Sequence, residues 1–229
     1  MVWSNDKGEL SSGLMTAVAS YDGRNGLLEL KDASANKTLI EKGTPTDVGS
    51  DGALAWGRWI GGQSKVQGNS GPGNGVGDGN LATLHYFTAS STPTGPTAGL
   101  FTSFASTAPT VQANGNLVAT GTVNSAGGSF TAALILQNTG TATYSLTVPV
   151  SGQTFTLTGV ATQTTLTTFS GVSLITSTGL ACLGGCTGSL GNNISVIGQI
   201  AGSQGSQAGV VYGFDSRLGN VSGVIVFKR

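Results

Sequence analysis

Charge is what this sequence lacks. From Gly79 to Phe214 there is no Asp, Glu, Lys or Arg. All ten acidic and all ten basic residues lie outside that stretch, most of them before it. Charged residues are 9% of the chain, against roughly 25% in an average domain. A run without ionisable side chains is poorly equipped for acid–base chemistry. Zero net charge argues against a nucleic-acid partner, because phosphate binding rests on Lys and Arg. No apolar run approaches the ~18 residues of a membrane-spanning helix. The start, Val2-Trp3-Ser4-Asn5-Asp6-Lys7, has neither the basic opening nor the apolar middle of a signal peptide. Either the protein is cytosolic or Met1 opens a mature or shortened form. The Thr/Ser/Gly/Ala-rich composition favours the second, and with it a cell-surface, periplasmic or secreted protein.

What remains is built for strands. Hydrophobic residues are 38% and glycines number 38 of 229, so the chain can bury a core, and one β-domain is the default at this length. Residues 1–50 hold most of the charge and read as an N-terminal β segment. In it Leu10 to Ala19 suits a short helix or a strand, and residues 27–32 and 37–42 suit a hairpin. Trp56 and Trp59, three apart on one strand, point to opposite faces. Gly61 to Asn80 is a Gly-rich loop, and Leu81 to Thr88 is the next strand.

From Asn116 onward the period of two is clear. Apolar rows run through Leu117-Ala119-Gly121-Val123, Phe130-Ala132-Leu134-Leu136, Ala142-Tyr144-Leu146-Val148, Phe155-Leu157-Gly159, Ile194-Val196-Gly198-Ile200, Ala208-Val210-Tyr212-Phe214 and Val221-Gly223-Ile225-Phe227. Short strands joined by tight turns make an antiparallel meander. Glycines inside the strands fit the sharp coiling of a small closed sheet. The expectation is all-β: an antiparallel up-and-down β-barrel of roughly eight strands over residues 51–229, with residues 1–50 as a β extension. A two-sheet sandwich is the alternative.

Two stretches resemble known families. Gly52-Ala53-Leu54-Ala55-Trp56-Gly57-Arg58-Trp59, followed by Leu84-His85-Tyr86-Phe87 and Pro93-Thr94, resembles the C-terminal barrel region of proteobacterial proteins carrying a FecR-type domain. Ile197 to Gly202, Ala208 to Phe214 and Val221 to Phe227 resemble the last hairpins of the transferrin-binding-protein-B type surface barrel. The resemblance implies an exported eight-stranded antiparallel barrel whose relatives bind proteins or small ligands. This chain departs from the pattern at Ile200, where an aromatic is usual, and at Ser206-Gln207, where a Glu is. No binding residue is carried over.

Candidate chemistry is sparse. Cys182 and Cys186 are spaced to close a small-loop disulfide in an oxidising compartment. Free thiols and half of a zinc site are the alternatives, and only His85 adds a further soft ligand. His85, the sole histidine, has Asp51, Asp78 and Asp215 as candidate orienting acids, none at a diagnostic spacing. Residues 73–80 lack the carboxylates of a calcium repeat and the Gly-Lys-Ser/Thr of a phosphate loop. Trp56, Trp59, Tyr86 and Phe87 are either core or an aromatic recognition patch.

The expectation is no enzyme, no metal and no cofactor: a surface or secreted module binding a protein partner, with any small ligand unknown. The alternative is a subunit self-associating into a fibre or matrix, in which the N-terminal segment adds a strand to a neighbour's sheet.

Overall fold

The computed structural model describes residues 2–4, 10–12, 17–23, 26–32, 37–41, 43–64, 79–80, 82–89, 93, 98–123, 132–137, 140–163, 168–172, 181–183, 194–216 and 218–229. Every strand pairing among them is antiparallel, and none of these residues is helical. The protein is all-β.

The larger sheet is a closed barrel. Its strands follow the chain: Gly99–Ser106, Ala132–Leu136, Thr141–Val150, Gln153–Gln163, Thr168–Val172, Ile194–Ala201, Gln207–Ser216 and Gly219–Lys228. The last returns to the first through Thr102↔Lys228, Ser103↔Phe227, Ala105↔Val226 and Ser106↔Ile225. Closure leaves these eight strands no free edge. Ala181–Leu183 adds to Gln153–Gln163, and the hairpin Thr110–Ala113/Asn116–Thr120 adds to Gly219–Lys228.

The interior is made of the rows that the period of two marks from Ala132 on, whereas in the row Leu117-Ala119-Gly121-Val123 the last residue is exposed. Leu134, Tyr144, Leu146, Val148, Phe155, Leu157, Val196, Ile200, Val210, Tyr212, Phe214, Val221, Ile225 and Phe227 form one buried cluster. Phe214 meets Phe155 edge-on at 5.2 Å and stacks on Tyr212 at 6.3 Å.

A five-stranded sheet roofs part of the barrel. Its order is Leu10–Ser12, Val2–Ser4, Thr83–Ala89, Leu54–Ile60, Thr44–Asp51. Leu54, Trp56 and Phe87 on its underside pack on Ala201, Val211, Val224 and Val226, which point out of the barrel. The strands Gln207–Ser216 and Gly219–Lys228 are therefore covered on both faces. Their near-continuous apolar runs, Val210-Val211-Tyr212 and Val224-Ile225-Val226-Phe227, are the signature of that double cover. A third sheet of Ala17–Tyr21, Leu27–Asp32, Lys37–Glu41, Gln63–Ser64 and Gly79–Asn80 lies above. The pairing of residues 27–32 with 37–41 is the hairpin expected there. By hydrogen bonding, Leu54–Ile60 and Thr83–Ala89 belong with the N-terminal strands. The barrel's own strands begin at Gly99, because sheet membership is set by long-range pairing that a local alternation does not encode.

Candidate functional site

The aromatic quartet is interior. Trp56, Trp59, Tyr86 and Phe87 are all buried, and the two tryptophans take opposite faces of their strand, as their spacing requires. Trp56 and Phe87, paired across neighbouring strands, lie under the roof. Trp56 also meets Phe104 edge-on at 5.6 Å. Trp59 and Tyr86, 6.3 Å apart, grip the third sheet by its backbone. The Trp59 indole donates to the Leu27 carbonyl at 2.5 Å, and the Leu27 N–H donates to the Tyr86 hydroxyl at 2.7 Å. Burial pushes the Tyr86 hydroxyl up to about 12. All four rings are packing surface, as large apolar area with a satisfiable polar tip favours, and none of them offers a face to a partner. Cys182 lies on the strand Ala181–Leu183; Cys186, and with it the expected disulfide, lies outside the described residues.

His85 occupies a buried polar layer between roof and barrel. Its Nδ1 is 2.8 Å from Thr107 Oγ1 and its Nε2 is 2.7 Å from Thr110 Oγ1. Thr107 Oγ1 already accepts the Val224 N–H at 3.0 Å. That hydroxyl and the one on Thr110 can each give or take a proton, so together they satisfy either neutral tautomer of the ring. Thr110 continues the chain to Thr83 at 3.2 Å, and the Gln112 amide donates to Thr83 at 2.5 Å. Burial, seconded by the positive charge of Arg58, holds the His85 imidazole well below the usual histidine range.

Arg58, paired with His85 across the sheet, donates from Nε to Asp47 Oδ2 at 2.7 Å. The same carboxylate oxygen accepts the Ala108 N–H at 3.1 Å. Asp47 sits at φ 53°, where the edge strand shifts register. That left-handed conformation turns its carboxylate towards the barrel. It belongs to the class of backbone strain kept where surrounding contacts fix it.

Both imidazole nitrogens are committed to threonines and shielded from solvent. No carboxylate orients the ring: Asp47 is held by Arg58, Asp51 pairs with Lys228, Asp215 accepts from Asn220, and Asp78 lies outside the described residues. No cluster of three or more potential metal ligands occurs among the described residues.

The outer face of the first four barrel strands exposes apolar side chains. Leu100, Ile135 and Val160 are 57%, 44% and 48% exposed. The pairings Leu100↔Ile135, Ile135↔Thr143 and Thr143↔Val160 set them in one row across four adjacent strands. Thr158 opposite Ser145 and Thr156 opposite Thr147 extend that face with small hydroxyls. It carries no charge, because the strands it uses come from the uncharged stretch. The sequence signal for this row is an apolar residue in the polar phase of a strand, as at Ile135 between Leu134 and Leu136.

No family model and no curated protein matches the chain. Solved structures do. Transferrin binding protein B, isotype 1, from serogroup B Neisseria meningitidis is 15% identical with a TM-score of 0.48, over 100% of this chain and 42% of that one. The N-lobe domain of lactoferrin binding protein B of Moraxella bovis is 10% identical with a TM-score of 0.45, over 99% and 98%. A surface lipoprotein is 14% identical with a TM-score of 0.45, over 93% and 96%. The chain spans less than half the length of the first of these. With TM-scores below one half, the barrel here rests on its own strand pairing.

Proposed function

We propose that this chain is a non-enzymatic cell-surface or secreted β-barrel module of bacterial origin that binds a protein partner. The observation that carries the reading is the open, uncharged row Leu100–Ile135–Val160. Exposed apolar residues set side by side mark contact surfaces when they are contiguous, whereas scattered ones need no explanation. The names of the similar structures, transferrin and lactoferrin binding proteins and a surface lipoprotein, support the same reading, as do the composition and the terminal hairpin motifs.

The test is retention of protein from host or environmental fluid by the immobilised chain, compared with Ile135→Lys/Val160→Lys. Both positions are exposed, so the variant keeps its core. A protein held by the wild type and lost from the variant is expected. Retention of nothing, or equal retention by both, overturns the proposal.

A second copy of the chain is the alternative partner, since a face without charge meets itself without like-charge repulsion. Strand donation is the less suited route: Val2–Ser4 lies between Thr83–Ala89 and Leu10–Ser12 within its own chain and would have to leave both. Light scattering that departs from 22.8 kDa as concentration rises would favour this alternative.

A further inference from the structure

The roof is held on the barrel by two kinds of contact. One is apolar: Leu54, Trp56 and Phe87 lie on Ala201, Val211, Val224 and Val226, and Trp56 meets Phe104 of the first barrel strand. The other is the polar layer around His85, which bonds to Thr107 and Thr110 on the barrel side.

The charges of that layer balance only while the imidazole is neutral. Arg58 stands directly across the sheet from His85, and both are buried. Asp47 accepts from Arg58 Nε and from the Ala108 N–H through one oxygen, while Arg58 Nη1 is buried without a hydrogen-bond partner. The layer therefore holds one carboxylate and one guanidinium. From the other described elements packed on the ring come Thr107, Thr110 and, beyond them, Thr83, Gln112 and Ser222, none of which carries charge. Ser4, paired with His85 on its other side, carries none either. A second cation in this layer would be buried and unpaired, which is strongly unfavourable.

The barrel does not share this weakness. Its eight strands close on themselves, and its interior cluster contains no residue of the roof and no group that gains charge in acid. Units with separate cores open separately.

We propose that the junction of roof and barrel is an acid-sensitive latch: a proton taken up by His85 releases the five-stranded roof from the closed barrel and bares the apolar faces that the two hold together. With the roof open, the imidazole meets water and binds its proton near the ordinary value of 6.5; with the roof closed it does not. Below that value the ratio of open to closed molecules rises by up to about tenfold per pH unit. The latch does not depend on the outer-face reading above.

The full chain carries its own reporters. Its three tryptophans, Trp3, Trp56 and Trp59, all lie on strands of the roof, and its sole histidine gives a single imidazole signal in proton NMR. The experiment follows tryptophan emission, far-UV circular dichroism and the His85 signal from about pH 8 to about pH 4. A red shift in emission is expected, with the same midpoint as the His85 titration, while most of the β-sheet dichroism is kept; neutralisation should reverse it. In His85→Gln the emission shift should be lost over this range. Emission that stays constant, emission and dichroism that change together, a shift at a pH where the His85 signal has not moved, or an equal midpoint in His85→Gln overturns the proposal. The first three of these are read on the wild-type chain alone.

Discussion

At the scale of single residues, the sole histidine records how the two sheets are joined. A folded state that keeps His85 neutral binds fewer protons below the ordinary histidine value of 6.5 than the unfolded chain does. Its contribution is complete above that value and is lost as pH falls from there through the depressed folded value. The limiting slope is about 1.4 kcal/mol per pH unit for one proton. The groups facing it are Arg58 from the neighbouring strand, with Asp47 behind, and the hydroxyls of Thr107 and Thr110. Protonation would place a second positive charge beside Arg58. Urea denaturation at pH 7.5 and pH 5.5 should show stability falling with pH, and His85→Gln should flatten that fall; an unchanged slope would remove His85 as its source. None of this polar layer is legible in the sequence beyond the presence of one histidine. Its partners are threonines some twenty residues away, distinguishable from other threonines only by the fold.

At the scale of strands, the glycines explain more than coiling. Gly57 faces Tyr86, Gly49 faces Trp56, Gly159 faces Tyr144 and Gly223 faces Tyr212, each directly across a strand pair. For Gly57, Gly49 and Gly223 a Cβ would collide with the opposite ring. Aromatic rings lying over cross-strand glycines cover the backbone that the missing side chain exposes. Gly209 uses the same device between sheets: a Cβ there would stand 2.6 Å from the Phe87 ring. Gly209→Val should therefore lift the roof from the barrel and cost about 1–3 kcal/mol, read as a lowered midpoint in chemical denaturation. A midpoint equal to wild type would mean that the phenyl ring has room to move. The inward rows from Ala132 to Phe227 were readable because alternation reports burial on one face. The roof's docking was not. Its local signal is the loss of alternation at Val210-Val211 and at Val224 to Phe227, which says that a second face is covered without saying by what.

At the scale of the whole molecule, charge is partitioned. The uncharged stretch supplies most of the barrel, while among the described residues Arg58 and Asp47 form a buried pair and Asp51 meets Lys228 at the barrel's edge. Salt screens exposed charges far more than buried ones, so melting temperature should differ little between low and high ionic strength; a strong salt dependence would point to surface ion pairs as the source of stability. The barrel itself was legible as a class, since short alternating strands and turns have few other ways to protect an uncharged edge. Its closure, the pairing of Gly99–Ser106 with Gly219–Lys228, has a consequence in time. The first staves of the barrel are made more than a hundred residues before the last one that locks them. Until Lys228 leaves the ribosome or the export channel, Gly99–Ser106 has no final neighbour, and the chain carries an open, uncharged ribbon. Such long-range pairing folds slowly and exposes edges to aggregation on the way. A cell making this protein therefore has reason to keep it unfolded, or escorted, until its final strand has been delivered.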